Sequence, residues 1–159
     1  MMKKRVNLSG WSVALTIVSL VVLLCALCWA RDKAALSMTA SAILILCAMA
    51  LFYMPVAVSV TDGKLNVHRP LRIKSIPLNH IASIELCPPS MSERRLCGSG
   101  GWFGYYGWFR EPSIGKYFAY YGKASDCFLV TLRDGHKYML GCENPDEMVD
   151  FVKNFIYRL

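Results

Sequence analysis

VAVSVTDGKLNVHRP, residues 56–70, sets two runs of alternating side chains on either side of Asp62-Gly63. In an extended chain successive side chains point to opposite faces, so Val56, Val58 and Val60 share one face and Leu65 and Val67 share another. Asp-Gly supplies the backbone that a tight hairpin turn demands. The stretch therefore predicts two antiparallel strands, each half-buried, which need a partner layer to cover them.

Further strands follow. RIKSI (72–76) and IASIEL (81–86) are set apart by Pro70 and Pro77. A second hairpin has the same logic: Phe128, Val130 and Leu132 alternate up to Asp134-Gly135, and Tyr138 and Leu140 continue after it. The chain then changes period. Asn144 can cap, Pro145 suits a first helical turn, Asp146 and Glu147 favour its positive end, and Met148, Phe151, Val152 and Phe155 are expected on one helix face. Short strands ending in one amphipathic helix predict an α+β domain over 55–159, a mainly antiparallel sandwich or open barrel closed by the helix.

Ahead of the first strand the composition shifts. Residues 11–30 and 34–54 are uncharged and almost wholly apolar, each as long as the roughly 20-residue helix that spans a bilayer core. Only Arg31-Asp32-Lys33 separates them, so 11–54 is expected to be a transmembrane helical hairpin behind a basic N-terminus, 1–10. The first run exceeds the roughly 7–15 residues of a signal-peptide core and lacks a clear small-x-small site after it. Lys3, Lys4 and Arg5 precede the first span and Lys64, Arg69, Arg72 and Lys74 follow the second, against Arg31 and Lys33 between them, which predicts both termini in the cytoplasm. Neither span holds an ionisable side chain, which argues against an ion path through the hairpin alone. Ser12, Thr16, Ser19, Ser37 and Ser41 offer small polar surfaces, either for packing the hairpin or for a second copy or partner helix.

Between the two hairpins lies a segment of another kind, 94–122, with glycine at 98, 101, 104 and 107 and the rings of Trp102, Phe103, Tyr105, Tyr106, Trp108 and Phe109 between. Half of residues 102–121 are aromatic, so the segment is either packed within the domain or held against something apolar, a bilayer or a partner. A phosphate loop is not its reading, because no Gly-Lys-Ser/Thr follows and Phe103 stands where the dinucleotide fingerprint needs glycine.

Of the net charge of +7, residues 55–159 carry only +3, with no dense basic stripe, so nucleic acid is not an expected partner. His68, His80 and His136 are scattered, no catalytic motif occurs, and Cys87, Cys97, Cys127 and Cys142 lack zinc spacing. Cys25 and Cys28, within a span, read as packing residues before redox ones. No catalytic, cofactor or metal site is therefore expected. A different class of function, a membrane-associated enzyme or a regulatory subunit of a membrane complex, would need a pocket among Arg94, Arg95, Arg110, Glu111 and Lys116.

VAVSVTDGKLNVHRP, IPLNHIASIE and NPDEMVDFVKNF together resemble bacterial pleckstrin-homology-like (PH-like) domains. RRLCGSGGWFGYYGWFREPSIGKYFAYYG resembles the glycine-aromatic signature of a membrane-anchored bacterial PH family. The resemblance implies a PH-like fold and a non-catalytic binding or scaffolding role at the bacterial inner membrane, with the bilayer, a protein partner or a second copy as what it meets. Lys64, Arg72 and Lys74 are the candidate basic face, either solvated or in contact with anionic headgroups. The six rings of 102–109 are the candidate membrane or partner contact.

Overall fold

Asp62 and Gly63 both take positive φ, 52° and 67°, and the strands they join pair from Ala57 against His68 to Thr61 against Lys64. These are β2 (Ala57–Thr61) and β3 (Lys64–His68), with β4 (Ile73–Pro77) on the far side of β3. The computed structural model describes residues 2–156; Met1 and 157–159, the end of the expected domain, lie outside the described residues.

The basic N-terminus opens with a strand, which the sequence reading does not anticipate. β1 (Met2–Arg5) pairs antiparallel with β2, Met2 opposite Val60 and Arg5 opposite Ala57. The reason is that β2 would otherwise present an open row of backbone donors and acceptors. β1 and the residue after it are fastened further, because Val6 N–H donates to Val56 O, Glu143 N–H donates to Arg5 O, and Lys4 Nζ meets Glu147 Oε2 at 2.7 Å.

The second sheet holds β5 (Ile81–Leu86), β6 (Arg94–Gly101), β7 (Gly104–Glu111), β8 (Gly115–Tyr121), β9 (Cys127–Leu132) and β10 (Lys137–Gly141) in the order β5-β9-β10-β8-β7-β6. All neighbours are antiparallel except β8 and β10, which run parallel. Asp134-Gly135 turns β9 into β10 as the alternation predicts, with Thr131 opposite Lys137.

The two sheets enclose one core. Val58, Leu65, Val67 and Ile76 of the first sheet join Ile81, Ile84, Phe128, Val130 and Leu140 of the second, and α3 (Pro145–Ile156) contributes Met148, Val149 and Val152. The expected helix face is corrected here: Phe151 and Phe155 are exposed, and the covering face is Met148, Val149, Val152 and the partly buried Ile156. These positions form an i, i+1, i+4, i+8 stripe, and the two phenylalanines fall beside it. A second core lies on the other face of the second sheet, where Phe109, Tyr117, Tyr121, Cys127, Leu129 and Met139 pack together.

α1 (Gly10–Trp29) and α2 (Lys33–Tyr53) start one residue earlier than expected, and both are long and apolar enough to cross a membrane. Most of their surface is open: Ile17, Val18, Val21, Val22, Leu44 and Ile45 are exposed. Burial is confined to the ends nearest the domain, at Ser12 and Thr16 on α1 and Ala50 on α2.

Candidate functional site

The glycine spacing of three is explained by the β6–β7 ladder. Gly98 stands opposite Gly107, and Gly101 stands opposite Gly104, all four at φ between 101° and 126°. A Cβ on Gly98 would lie 2.1 Å from Tyr106 O, and one on Gly107 would lie 2.2 Å from Cys97 O. Only glycine lets the two backbones approach so closely. The result is a hairpin with a bare stretch of main chain on its surface, flanked by rings.

The turn of that hairpin, Trp102-Phe103, is seated on α1. Ser12 Oγ donates to Gly101 O and accepts the Gly104 N–H at 3.0 Å; Thr16 Oγ1 accepts the Phe103 N–H at 3.0 Å and donates to Ser12 O. Phe103 is held at φ 53°, a region that costs an aromatic residue energy. Ser99 Oγ, which donates to Trp102 O at 2.7 Å, braces the same turn. Thr16 lies six residues into α1, so the seat reaches about 9 Å along the helix. The expectation that Ser12 and Thr16 serve helix packing, within the hairpin or with a second copy or partner helix, is thus corrected: an i, i+4 hydroxyl pair faces the turn and bonds three of its backbone groups.

α2 is fixed to the domain at its own end. Leu71 N–H donates to Leu51 O at 3.3 Å and Arg69 Nη1 donates to Phe52 O at 3.2 Å, which satisfies carbonyls that a helix C-terminus leaves open and places a cation at its negative end. Arg69 also reaches Tyr120 Oη, at 3.3 Å, and its Cζ overlies that ring. Neither Arg69 nor the two hydroxyls stands out in sequence as part of a junction; an i, i+4 pair of hydroxyls on an apolar helix is the one legible sign.

The six candidate rings divide. Tyr106 and Phe109 are buried, and Trp102, Phe103, Tyr105 and Trp108 are half-buried. Tyr106 stacks on Tyr53 of α2 at 5.9 Å, Tyr105 on Tyr121 at 4.7 Å and Phe109 on Tyr117 at 6.3 Å. Trp108 packs edge-on against Phe118, with Lys116 Nζ 4.3 Å from its ring centre.

The candidate basic residues do not come together. Lys64 sits at the β2–β3 turn, on the face of Asn66 and His68, whereas Lys74 pairs with Val67 on the opposite face and extends over the Tyr138 ring. Arg72 lies at the α2 end, its guanidinium over Phe52 at 5.6 Å. Among the residues of the alternative pocket, Arg94, Arg110 and Lys116 form a cross-strand row, while Glu111 is buried on the other face and accepts from Ser113 Oγ at 3.1 Å. These groups form no converging acid–base pair. Of the histidines, His68 Nε2 lies 2.7 Å from Ser59 Oγ, and burial followed by the charge of Lys3 holds its pKa below the usual range.

Over the second core sits a polar group that sequence reasoning missed, since nothing around Glu93 marks it. Its carboxylate accepts from the hydroxyls of Tyr117 and Tyr121. Burial raises the Glu93 pKa despite these bonds, and raises both tyrosines, the same carboxylate adding to their shifts. A carboxyl with a raised native pKa keeps its proton longer in the folded state, so its contribution to stability is full below the ordinary value of 4.5 and is lost as pH rises through the native value. Glu93→Gln, neutral at every pH, is expected to remove that decline: the difference in melting temperature between variant and parent grows in the variant's favour from pH 4 to 7. Parallel curves would disprove the assignment.

No curated protein and no solved structure matches the chain. A family model, described as bacterial PH domain, matches residues 56–156, more than half of the 159, and covers β2 through α3. Together with two opposed sheets closed by a C-terminal helix, this places the chain in the bacterial PH domain family.

Proposed function

We propose that this chain is a two-span membrane protein that holds its PH domain, as a non-catalytic binding or scaffolding module, in one fixed orientation at the cytoplasmic face of the inner membrane. The observation that carries the reading is the seat of the β6–β7 turn on Ser12 and Thr16. A domain that only needed a tether would hang from a linker; this one is bonded to α1 through its glycine-aromatic turn and to α2 through Arg69 and Leu71. The exposed apolar surfaces of both helices fit burial in lipid. The pairing of β1, before α1, with β2, after α2, supports a hairpin with both ends on one side. The basic residues on that side favour the cytoplasm. PH domains are in general binding modules, which favours this reading over an enzyme.

The test is a reporter fused after Leu159 in cells whose membranes are then washed with alkaline carbonate. The fusion is expected to stay in the pellet and be active only in its cytosolic form. Release by carbonate would overturn the anchor, and activity on the far side would overturn the orientation.

A further inference from the structure

Two adjoining cavities, about 220 Å³ and 250 Å³, open between α2 and the β6–β7 hairpin, and they share Met49, Gly98 and Tyr106 in their walls. Their helix side is apolar, with Leu46 and Met49, and Trp102 and Trp108 stand on the strand side. Glycines 98, 100 and 107 leave part of that lining as bare backbone.

Two polar groups border it. Arg95 is exposed, makes no ion pair among the described residues, and carries its guanidinium against Gly100. Tyr106 is 2% exposed and its hydroxyl has no hydrogen-bond partner. A cation beside an apolar slot fits a ligand that is anionic at one end and apolar along the rest, and the buried phenol lacks an acceptor.

Depth selects the source of that ligand. Met49 and Leu46 lie four and seven residues before Tyr53, the last residue of α2, so the groove follows roughly the last 6–10 Å of the helix. At this depth a spanning helix passes from the headgroup layer into the hydrocarbon. Ile45, one turn before Met49 on the same helix face, is exposed and apolar.

We propose that this groove is a site for one phospholipid of the surrounding bilayer, its phosphodiester against Arg95, its ester region beside Tyr106 and an acyl chain along Met49 and Leu46. The site rests on the reading of α1 and α2 as membrane spans. It stands apart from the β2–β3 turn and requires helix and domain together, since neither wall exists alone.

The experiment uses the full chain, purified in mild detergent, stripped of lipid and titrated with phosphatidylglycerol or with diacylglycerol, with bound lipid counted by native mass spectrometry. One phosphatidylglycerol per chain is expected to survive gentle activation, with diacylglycerol at least about tenfold weaker, because a charge-assisted bond is lost. Arg95→Gln is expected to weaken phosphatidylglycerol by about tenfold or more and Tyr106→Phe by about threefold, while Arg94→Gln on the same strand changes nothing. Inorganic phosphate at about 10 mM is expected to leave the lipid bound, because the apolar wall supplies part of the affinity. Equal binding of diacylglycerol, equal effects of Arg94→Gln and Arg95→Gln, or displacement by phosphate alone would each overturn the site. A chain that resists carbonate yet retains no lipid overturns this inference and leaves the membrane anchor standing; release by carbonate removes both.

Discussion

Gly98→Val and Gly107→Val are expected to prevent the domain from folding. Each new Cβ would fall within 2.2 Å of a carbonyl oxygen on the facing strand and 2.7 Å from the opposing glycine Cα. Neither neighbour is a side chain that can swing away. Both sites also need φ near 125°, a region closed to a β-branched residue. Backbone overlap and strain together should exceed about 4 kcal/mol, the range reached only by named structural defects. Gly115→Ala isolates the strain, because its φ is 87° and nothing lies within 4 Å of the added Cβ; it should cost roughly 1–2 kcal/mol. Gly104→Val should fall between, with its nearest contacts at 3.2 Å. Unfolding midpoints of the full chain in detergent give the ranking. If Gly98→Val melts with Gly115→Ala, the strands are not as close as the ladder requires.

The pair Ser12→Ala and Thr16→Val is expected to detach the turn from α1. It strips partners from Gly101 O, Gly104 N–H and Phe103 N–H, at sites where Ser12 is wholly buried and Thr16 is 8% exposed. An unpaired buried backbone group costs about 1–3 kcal/mol, so the double variant should lose roughly 3–5 kcal/mol. Both hydroxyls hold the same turn, so their single effects should not add. Ser19→Ala is the control, since Ser19 Oγ bonds only to Leu15 O in its own helix, and should stay within about 0.5 kcal/mol. Limited proteolysis provides a second readout: cleavage near 101–104 should appear in the double variant and be absent from the control. Identical behaviour of the two would mean that the domain is tethered and not seated.

These two tests fall on features of unequal legibility. The glycine period is plain in the sequence, but its cause is not, because the carbonyl that excludes a Cβ at Gly98 belongs to Tyr106 on the other strand. Likewise Ser12 and Thr16 are visible as hydroxyls on an apolar helix, yet the acceptor of Ser12 is 89 residues away. A hydroxyl that bonds to another helix and one that bonds to a turn look identical in one dimension. The rings pose the same difficulty: Tyr106 and Trp108 are equally aromatic, and only the packing of the domain core and of Tyr53 of α2 around it decides that Tyr106 is covered.

Whatever depends on neighbours within a few residues was determined by the sequence itself. Alternation and Asp-Gly fixed β2–β3 and β9–β10 with their turns, and charge-free length fixed α1 and α2 to within one residue at their starts. Backbone sterics and side-chain period act locally, so they can be read locally. The tertiary structure alone decided the pairing of β1 with β2, the parallel contact of β8 with β10, the face of α3 and the seat of the glycine-aromatic turn. Each of those is a choice among partners that satisfy the same donors, acceptors and apolar faces equally well in isolation, and it is settled only when all the surfaces are buried at once.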